Sequence, residues 1–475
     1  MSKLTLLLGG AVVAGGLFYV FTQWERSARE HWVVFFVLGM LIVEASLYGN
    51  YNNVPRGIFH PGTGTFQFRM PEVVISVALL ARLAVRGWPQ RIGFPALAWT
   101  ALAGWWTLET VEGLLRHNST VYIPYEAKAI IYVMGGYALA SGVPVRRFLD
   151  GRGLERTLRW SALIAAVLIL TTMGKVSFTL GLPLVPLSDT GPMGTDAAAI
   201  FLAIGTIGLL SELTKEHRSR LNLVAVVPLV LSPFFAYQRG VLLMAGAVVV
   251  VVLLVMSGRT ARRRLRVRAG EVLVLGLAVV GGALAVAIIP AVTSQKSVTS
   301  PFSSTINRTL GTTLNSRAKQ ESAQDRLTKW DVALRDAEQQ PILGQGLGFE
   351  YSYFQTGPNV FIVTDLTENI GLDLWLRTGL IGLGLFLLAI VLALANGFAT
   401  WRLHPDPMVA VLALALTVVV IGLLAAGQVE SIFENYRLAT VFGLSLGMLR
   451  SAVTSGGGGP TAMRSYQAMR QYEVI

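Results

Sequence analysis

Residues 370–397 read IGLDLWLRTGLIGLGLFLLAIVLALANG, and the charged residues among them, Asp373 and Arg377, both stand near the start. The hydrocarbon core of a bilayer is about 30 Å thick and takes about 20 apolar helical residues to cross. This stretch is long enough to cross it. Comparable apolar stretches centre on residues 4–22, 32–49, 70–86, 93–113, 125–143, 158–174, 196–213, 221–237, 239–257, 271–293, 408–427 and 433–452. The expected fold class is therefore all-α: a polytopic integral membrane protein of about 12–13 transmembrane helices, with one large external loop containing an amphipathic helix.

Composition agrees with that reading. Of the 475 residues, 53% are apolar and 14% charged, where soluble domains carry about 25% charged residues. There is no cysteine, so disulfides, Cys-ligated metals and thiol nucleophiles are excluded. The formal net charge of +12 would suggest nucleic acid in a soluble protein. Here the arginines sit at the ends of apolar stretches, without the interleaved aromatics of a strand-binding groove, so no nucleic-acid partner is expected.

Cytoplasmic loops retain Lys and Arg, which orients the chain. Segment 144–159 holds Arg146, Arg147, Arg152, Arg156 and Arg159; segment 214–220 holds Lys215, Arg218 and Arg220; segment 258–268 holds six arginines from Arg259 to Arg268. Two spans separate each neighbouring pair of these segments, so all three can share the cytoplasmic side. One further span, 271–293, then carries the chain outward. The expected organisation is N-terminal transmembrane helices over 1–293, a large external (periplasmic) loop over 294–369, C-terminal transmembrane helices over 370–452, and a flexible cytoplasmic tail over 453–475. Lys3 and the first apolar stretch resemble a signal peptide, but no small-residue cleavage site follows, so an uncleaved helix is expected.

Within the long loop, Leu327, Trp330 and Leu334 recur at helical spacing over residues 318–338, with Ala323, Ala333 and Ala337 beside them, predicting an amphipathic helix that lies against the membrane-domain surface rather than crossing it. It stops at Pro341. The run Gly344-Gln345-Gly346-Leu347-Gly348 follows and is read as a tight turn needing positive φ, since it lacks the lysine and the following helix of a phosphate-binding loop.

The order Arg326, Trp330, Ala333, Pro341, Gly344, Gly346, the polar pair Glu368-Asn369, and Leu376-Arg377-Thr378-Gly379-Leu380-Ile381-Gly382 resembles the core of the O-antigen ligase and Wzy-type O-antigen polymerase family. The resemblance covers roughly residues 225–400. It implies a glycosyltransferase of the bacterial inner (cytoplasmic) membrane, using an undecaprenyl-diphosphate-linked glycan as donor and a glycan or lipid as acceptor, among membrane lipid. It further implies that Arg239, in Tyr237-Gln238-Arg239-Gly240, and Arg326 engage the diphosphate, with Asn369 beside them. Ligases of the family have His-Asn where this chain has Glu368-Asn369. That departure favours a polymerase building a surface polysaccharide over an O-antigen ligase or a protein O-oligosaccharyltransferase.

The chemistry also follows from the residues. Nucleotide sugars are absent outside the cytoplasm, which fits the missing nucleotide motif and points to a lipid-linked donor. Guanidinium groups would stabilise the diphosphate leaving group, and Glu368, ionised at neutral pH, would accept the acceptor's proton. No metal and no cofactor are expected. Each assignment has a structural competitor: Arg239 as a helix-end anchor, Arg326 as part of a solvated face, and Glu368 as a cap of the following helix. His117, on another external loop, is the alternative base, and Asp373 with Arg377 forms an i, i+4 ion pair. Glu430 and Glu434 stand at an external helix end. The competing function class is a lipid-linked glycan transporter or flippase. Transporters tend to show repeated halves and mid-membrane charges, whereas polar chemistry here concentrates in one loop.

Overall fold

The computed structural model describes residues 3–27, 29–47, 70–87, 94–150, 152–174, 195–215, 219–235, 239–257, 317–355, 359–429, 432–433 and 435–455. The expected span 271–293, the arginines of 258–268, Glu430, Glu434 and the tail 456–475 lie outside them. The described residues fold mainly as helices: α1 Lys3–Arg26, α2 His31–Leu47, α3 Met70–Arg86, α4 Phe94–Leu115, α5 Tyr122–Ala140, α6 Val145–Asp150, α7 Arg152–Gly174, α8 Thr195–Glu212, α9 Arg220–Phe235, α10 Arg239–Ser257, α11 Arg317–Gln339, α12 Ile370–Leu403, α13 Pro407–Ala426 and α14 Tyr436–Thr454. Every expected apolar stretch inside the described residues falls on one of these helices. Two of them, α12 and α13, are long and apolar enough to cross a membrane, and shorter apolar helices lie at His31–Ala45, Arg220–Pro233 and Gly240–Val255.

An antiparallel hairpin joins the helices, β1 Tyr351–Gln355 with β2 Val360–Thr364, pairing Tyr351 with Thr364 and Gln355 with Val360. The all-α expectation did not include it. Its alternation is nonetheless that of a half-covered strand: Tyr351 and Tyr353 are buried while Ser352 and Phe354 face out.

α13 forms the centre of the bundle. It is apolar on all sides and buried along nearly its whole length, as a helix surrounded by others must be. Asp406 starts it by accepting from Met408 N at 2.9 Å, with Pro407 in the first turn. Beside it α14 lies against α5, where Gly443 and Gly447, four residues apart, approach the backbone carbonyls of Val133 and Tyr137 too closely for any side chain.

The chain has two distinct ends. At one, Lys215 pairs with Glu155 at 3.0 Å, Arg146 with Asp406 at 3.3 Å, and Arg86 with Glu25 and Glu30 at 2.7 and 2.8 Å. This gathers the described parts of the basic loops together. At the other, Ser119 N donates to Gly348 O at 3.0 Å and Ile370 N to Gly427 O at 2.8 Å, joining the loops after α4, α11 and α13.

Candidate active site

The helix α11 covers Arg317–Gln339, close to the expected 318–338, but its packed face is turned. Ala333 and Ala337 are fully buried, with Asp325 and Lys329 on the same side, whereas Leu327 and Leu334 are exposed. Of the expected apolar face, Ala333 and Ala337 are on the packed side, and the placing of Leu327 and Leu334 there is corrected. Alanine lets the helix approach Tyr351, Tyr353 and Leu376 closely, a contact that leucine would hold apart.

That turn carries Arg326 and Lys329, at i and i+3, to one carboxylate. Arg326 Nε lies 2.9 Å from Glu368 Oε2 and Lys329 Nζ lies 3.1 Å from Glu368 Oε1. Lys329 is itself buried against the ring of Tyr353, 5.8 Å from its centroid. Burial, and then the charges of Asp325 and Glu368, push the Tyr353 phenol above its ordinary range, so it stays neutral. Trp330 Nε1, one position further, donates to Thr367 O at 2.8 Å and fixes the loop just ahead of the carboxylate.

Glu368 has a left-handed backbone (φ 58°), a conformation uncommon for a residue with a side chain. It does not cap the following helix. Asn369 does, its side chain accepting from Leu372 N at 2.9 Å while its own Nδ2 donates to Gln428 O at 3.2 Å. With the cap supplied by the neighbour, Glu368 is turned towards the two cations. Arg326 is likewise more than a solvated face, since it holds this carboxylate with one third of its side chain exposed.

Behind the carboxylate, α12 is locked in place. Arg377 Nε pairs with Asp373 Oδ1 at 2.7 Å, as the i, i+4 spacing predicts, and also reaches Glu126 on α5 and the carbonyl of Asp365. Burial pushes the Asp365 carboxyl up to about 6. The helix breaks at Gly379 (φ 61°), and the glycine run fits into the break. Gly344, Gly346 and Gly348 have φ of 89°, 79° and 74°, and the tight-turn reading of that run holds. Gln345 N donates to Leu376 O at 2.8 Å, Gly346 N to Arg377 O at 3.0 Å, and Gly348 N to Glu126 Oε2 at 2.7 Å.

Arg239 is the first residue of α10, and its side chain lies outside the described residues. His117 is exposed on the loop after α4, with a left-handed backbone (φ 59°). Among the described residues no hydrogen bond or ion pair joins it to Glu368. Lys329 was missed by the sequence reading. Its signal was the i, i+3 spacing from Arg326 on the small-residue face of α11, which the larger leucines outweighed.

The cluster, drawn from α11 and the loop that enters α12, lies within a segment that carries a known family's pattern. Residues 224–387 match the model of a family described as O-antigen ligase. Members of this family are glycan-transferring enzymes, and the family is associated with membranes and polysaccharide biosynthesis. The matched residues include Arg239, Arg326, Lys329, Glu368 and Asn369, and leave out His117. No curated protein matches the chain.

Proposed function

We propose that the chain is a polytopic glycosyltransferase of the bacterial inner membrane, with the Glu368 cluster as its active centre facing away from the cytoplasm. It takes an undecaprenyl-diphosphate-linked oligosaccharide and transfers the glycan to the hydroxyl of an acceptor glycan, building a surface polysaccharide. The acceptor oxygen attacks the anomeric carbon, the bond from that carbon to the diphosphate oxygen breaks, and the acceptor's proton passes to Glu368. The lipid diphosphate leaves with the bonding electron pair. Negative charge growing on it is met by Arg326 and Lys329, with Arg239 as a third cation from the start of α10. Only one N–H of Arg326 and one of the three on Lys329 are needed for the carboxylate, which leaves donors for phosphate oxygens.

The observation that carries this reading is a partly exposed carboxylate, held in a left-handed conformation between two cations, inside the family-matched segment. A second reading, ligation of a finished glycan to a lipid acceptor, is favoured by the description of the matched family, O-antigen ligase. Incubating the purified protein with a lipid-linked repeat unit separates the two. A ladder of extended products without added acceptor supports polymerisation; a single transfer that requires a lipid acceptor supports ligation. No transfer to any acceptor would sink both.

A further inference from the structure

Glu109, on the outer half of α4, has no role in the cluster above. Its side chain is 1% exposed, yet among the described residues neither carboxylate oxygen has a hydrogen-bond partner. Its backbone carbonyl is occupied by Leu347 N at 3.2 Å, so that bond leaves the side chain free. A buried carboxylate without a donor is a costly arrangement that a ligand's donors would relieve.

The carboxylate lines a groove of about 500 Å³ along one face of α4, together with Trp105, Leu108, Val111, Leu115 and Arg116. That volume suits a small ligand or the end of a larger one. Leu108, Val111 and Leu115 are 59%, 50% and 76% exposed, an apolar flank open to the surroundings of the helix. Glu109 sits six residues below the end of α4, about 9 Å along the axis. On the membrane reading of the chain, that is the level where a lipid's headgroup meets its chain.

We propose that this groove is a binding site for an amphiphile with a polyhydroxylated, uncharged headgroup, its hydroxyls bonded to Glu109 and its chain lying on Leu108, Val111 and Leu115. Glu112 and Arg116 pair with each other, so neither offers an unmatched charge to an ionic headgroup. Arg116 is further held in the groove by Gln340 and a 3.3 Å bond to Gln345 Oε1. Neutral hydroxyls, which both donate and accept, match what remains. The site rests on the membrane reading of the chain and not on the transfer reaction.

Binding alone tests it. The full-length protein is placed in phosphatidylcholine nanodiscs and exposed to a dodecyl maltoside bearing a photoreactive diazirine in its alkyl chain, and crosslinked peptides are mapped by mass spectrometry. Crosslinks should concentrate on Leu108, Val111 and Leu115 and be displaced by excess dodecyl maltoside, but not by dodecyl phosphate, dodecylammonium or free maltose. Glu109→Leu should lower their yield about tenfold, and Glu109→Gln, which can still donate and accept, by less. Leu108→Trp fills the groove from an exposed position without touching the carboxylate, and should also lower the yield. Unchanged yield in both Glu109→Leu and Leu108→Trp would overturn the site. Equal displacement by dodecylammonium or by free maltose would overturn the ligand class. Because no transfer is measured, these results stand apart from those of the glycosyltransferase assay.

Discussion

The two ends of the molecule both gather charge, and they use it differently. At the end holding the basic loops, Glu25 and Glu30 have side chains only 2% exposed and are paired with Arg82 and Arg86, while Arg82 also donates to the carbonyls of Ala138 and Leu139 at 2.7 and 2.6 Å. These cations tie helix ends together. At the opposite end Glu368 is 32% exposed and is reached by Arg326, itself 33% exposed. A carboxylate that only joins elements has no need of a left-handed backbone or of an opening to the outside. On the proposed function, the first cluster tethers and the second carries the chemistry.

The sharpest way to break that contrast is Glu368→Gln, which keeps the shape and leaves the Asn369 cap in place. If Glu368 is the general base, transfer should fall about 10²–10⁴-fold while donor binding survives. The check is the transfer rate with donor affinity measured on the same preparation. A wild-type rate would reduce the outer cluster to a tether like the inner one and make His117 the better candidate base.

Removing a cation should cost somewhat less. Arg326→Ala, Lys329→Ala and Arg239→Ala should each lose about 2–4 kcal/mol of transition-state stabilisation, roughly 30- to 1000-fold in rate, with the protein still accumulating in the membrane. Arg326→Lys should recover only part, since it replaces a planar fork by a point charge. Single-turnover transfer rates separate this from lost expression. If Lys329→Ala transfers normally while Arg326→Ala does not, the lysine merely packs on Tyr353.

How much of this was legible beforehand differs by element. Apolar runs announced the helices, because a continuous stretch such as 408–427 has few other ways to satisfy its backbone, and the structure buries it as α13. The turn at Gly344–Gly348 was equally plain, since successive glycines admit the positive φ that excludes other residues. The apolar face expected for α11 held alanines and leucines together, and only part of it packs: at a close approach, Ala333 and Ala337 bury better than Leu327 and Leu334. Pairing of Glu368 with Arg326 spans a hairpin, β1–β2, that five-residue strands conceal within a long loop. Local pattern cannot report such a contact, and the family resemblance supplied the two residues without their geometry.

A smaller effect separates the ends by pH. Asp365, buried beside the outer cluster, has its carboxyl pushed up to about 6 by burial, so the folded protein holds a proton that the unfolded chain releases near pH 4. Stability from this group is full below about pH 4 and declines as pH rises through about 6, by up to about 3 kcal/mol. Asp365→Asn should flatten that part of the profile, read as thermal unfolding in detergent from pH 4 to 7. A profile unchanged by the substitution would show that the buried carboxyl is not what titrates.

At the other end the sign reverses, and the effect is the smallest expected. The hydrogen bond from Lys215 holds the Glu155 carboxyl below its ordinary range, opposed by partial burial. A depressed pKa contributes stability that is present above the unfolded value, near pH 4.3, and is lost as pH falls through the folded one. Because the Glu155 side chain is 35% exposed, solvent screens the pair. Glu155→Gln should cost less than about 1 kcal/mol at neutral pH. Its effect should vanish in acid and shrink with added salt, while Asp365→Asn responds little to salt because its carboxyl is buried. Glycan transfer by Glu155→Gln should stay within about twofold of wild type, since an exposed tether at the far end of the bundle touches no reacting atom. A loss of transfer comparable to that of Glu368→Gln would mean that both ends take part in the reaction, and the division of labour between them would fall.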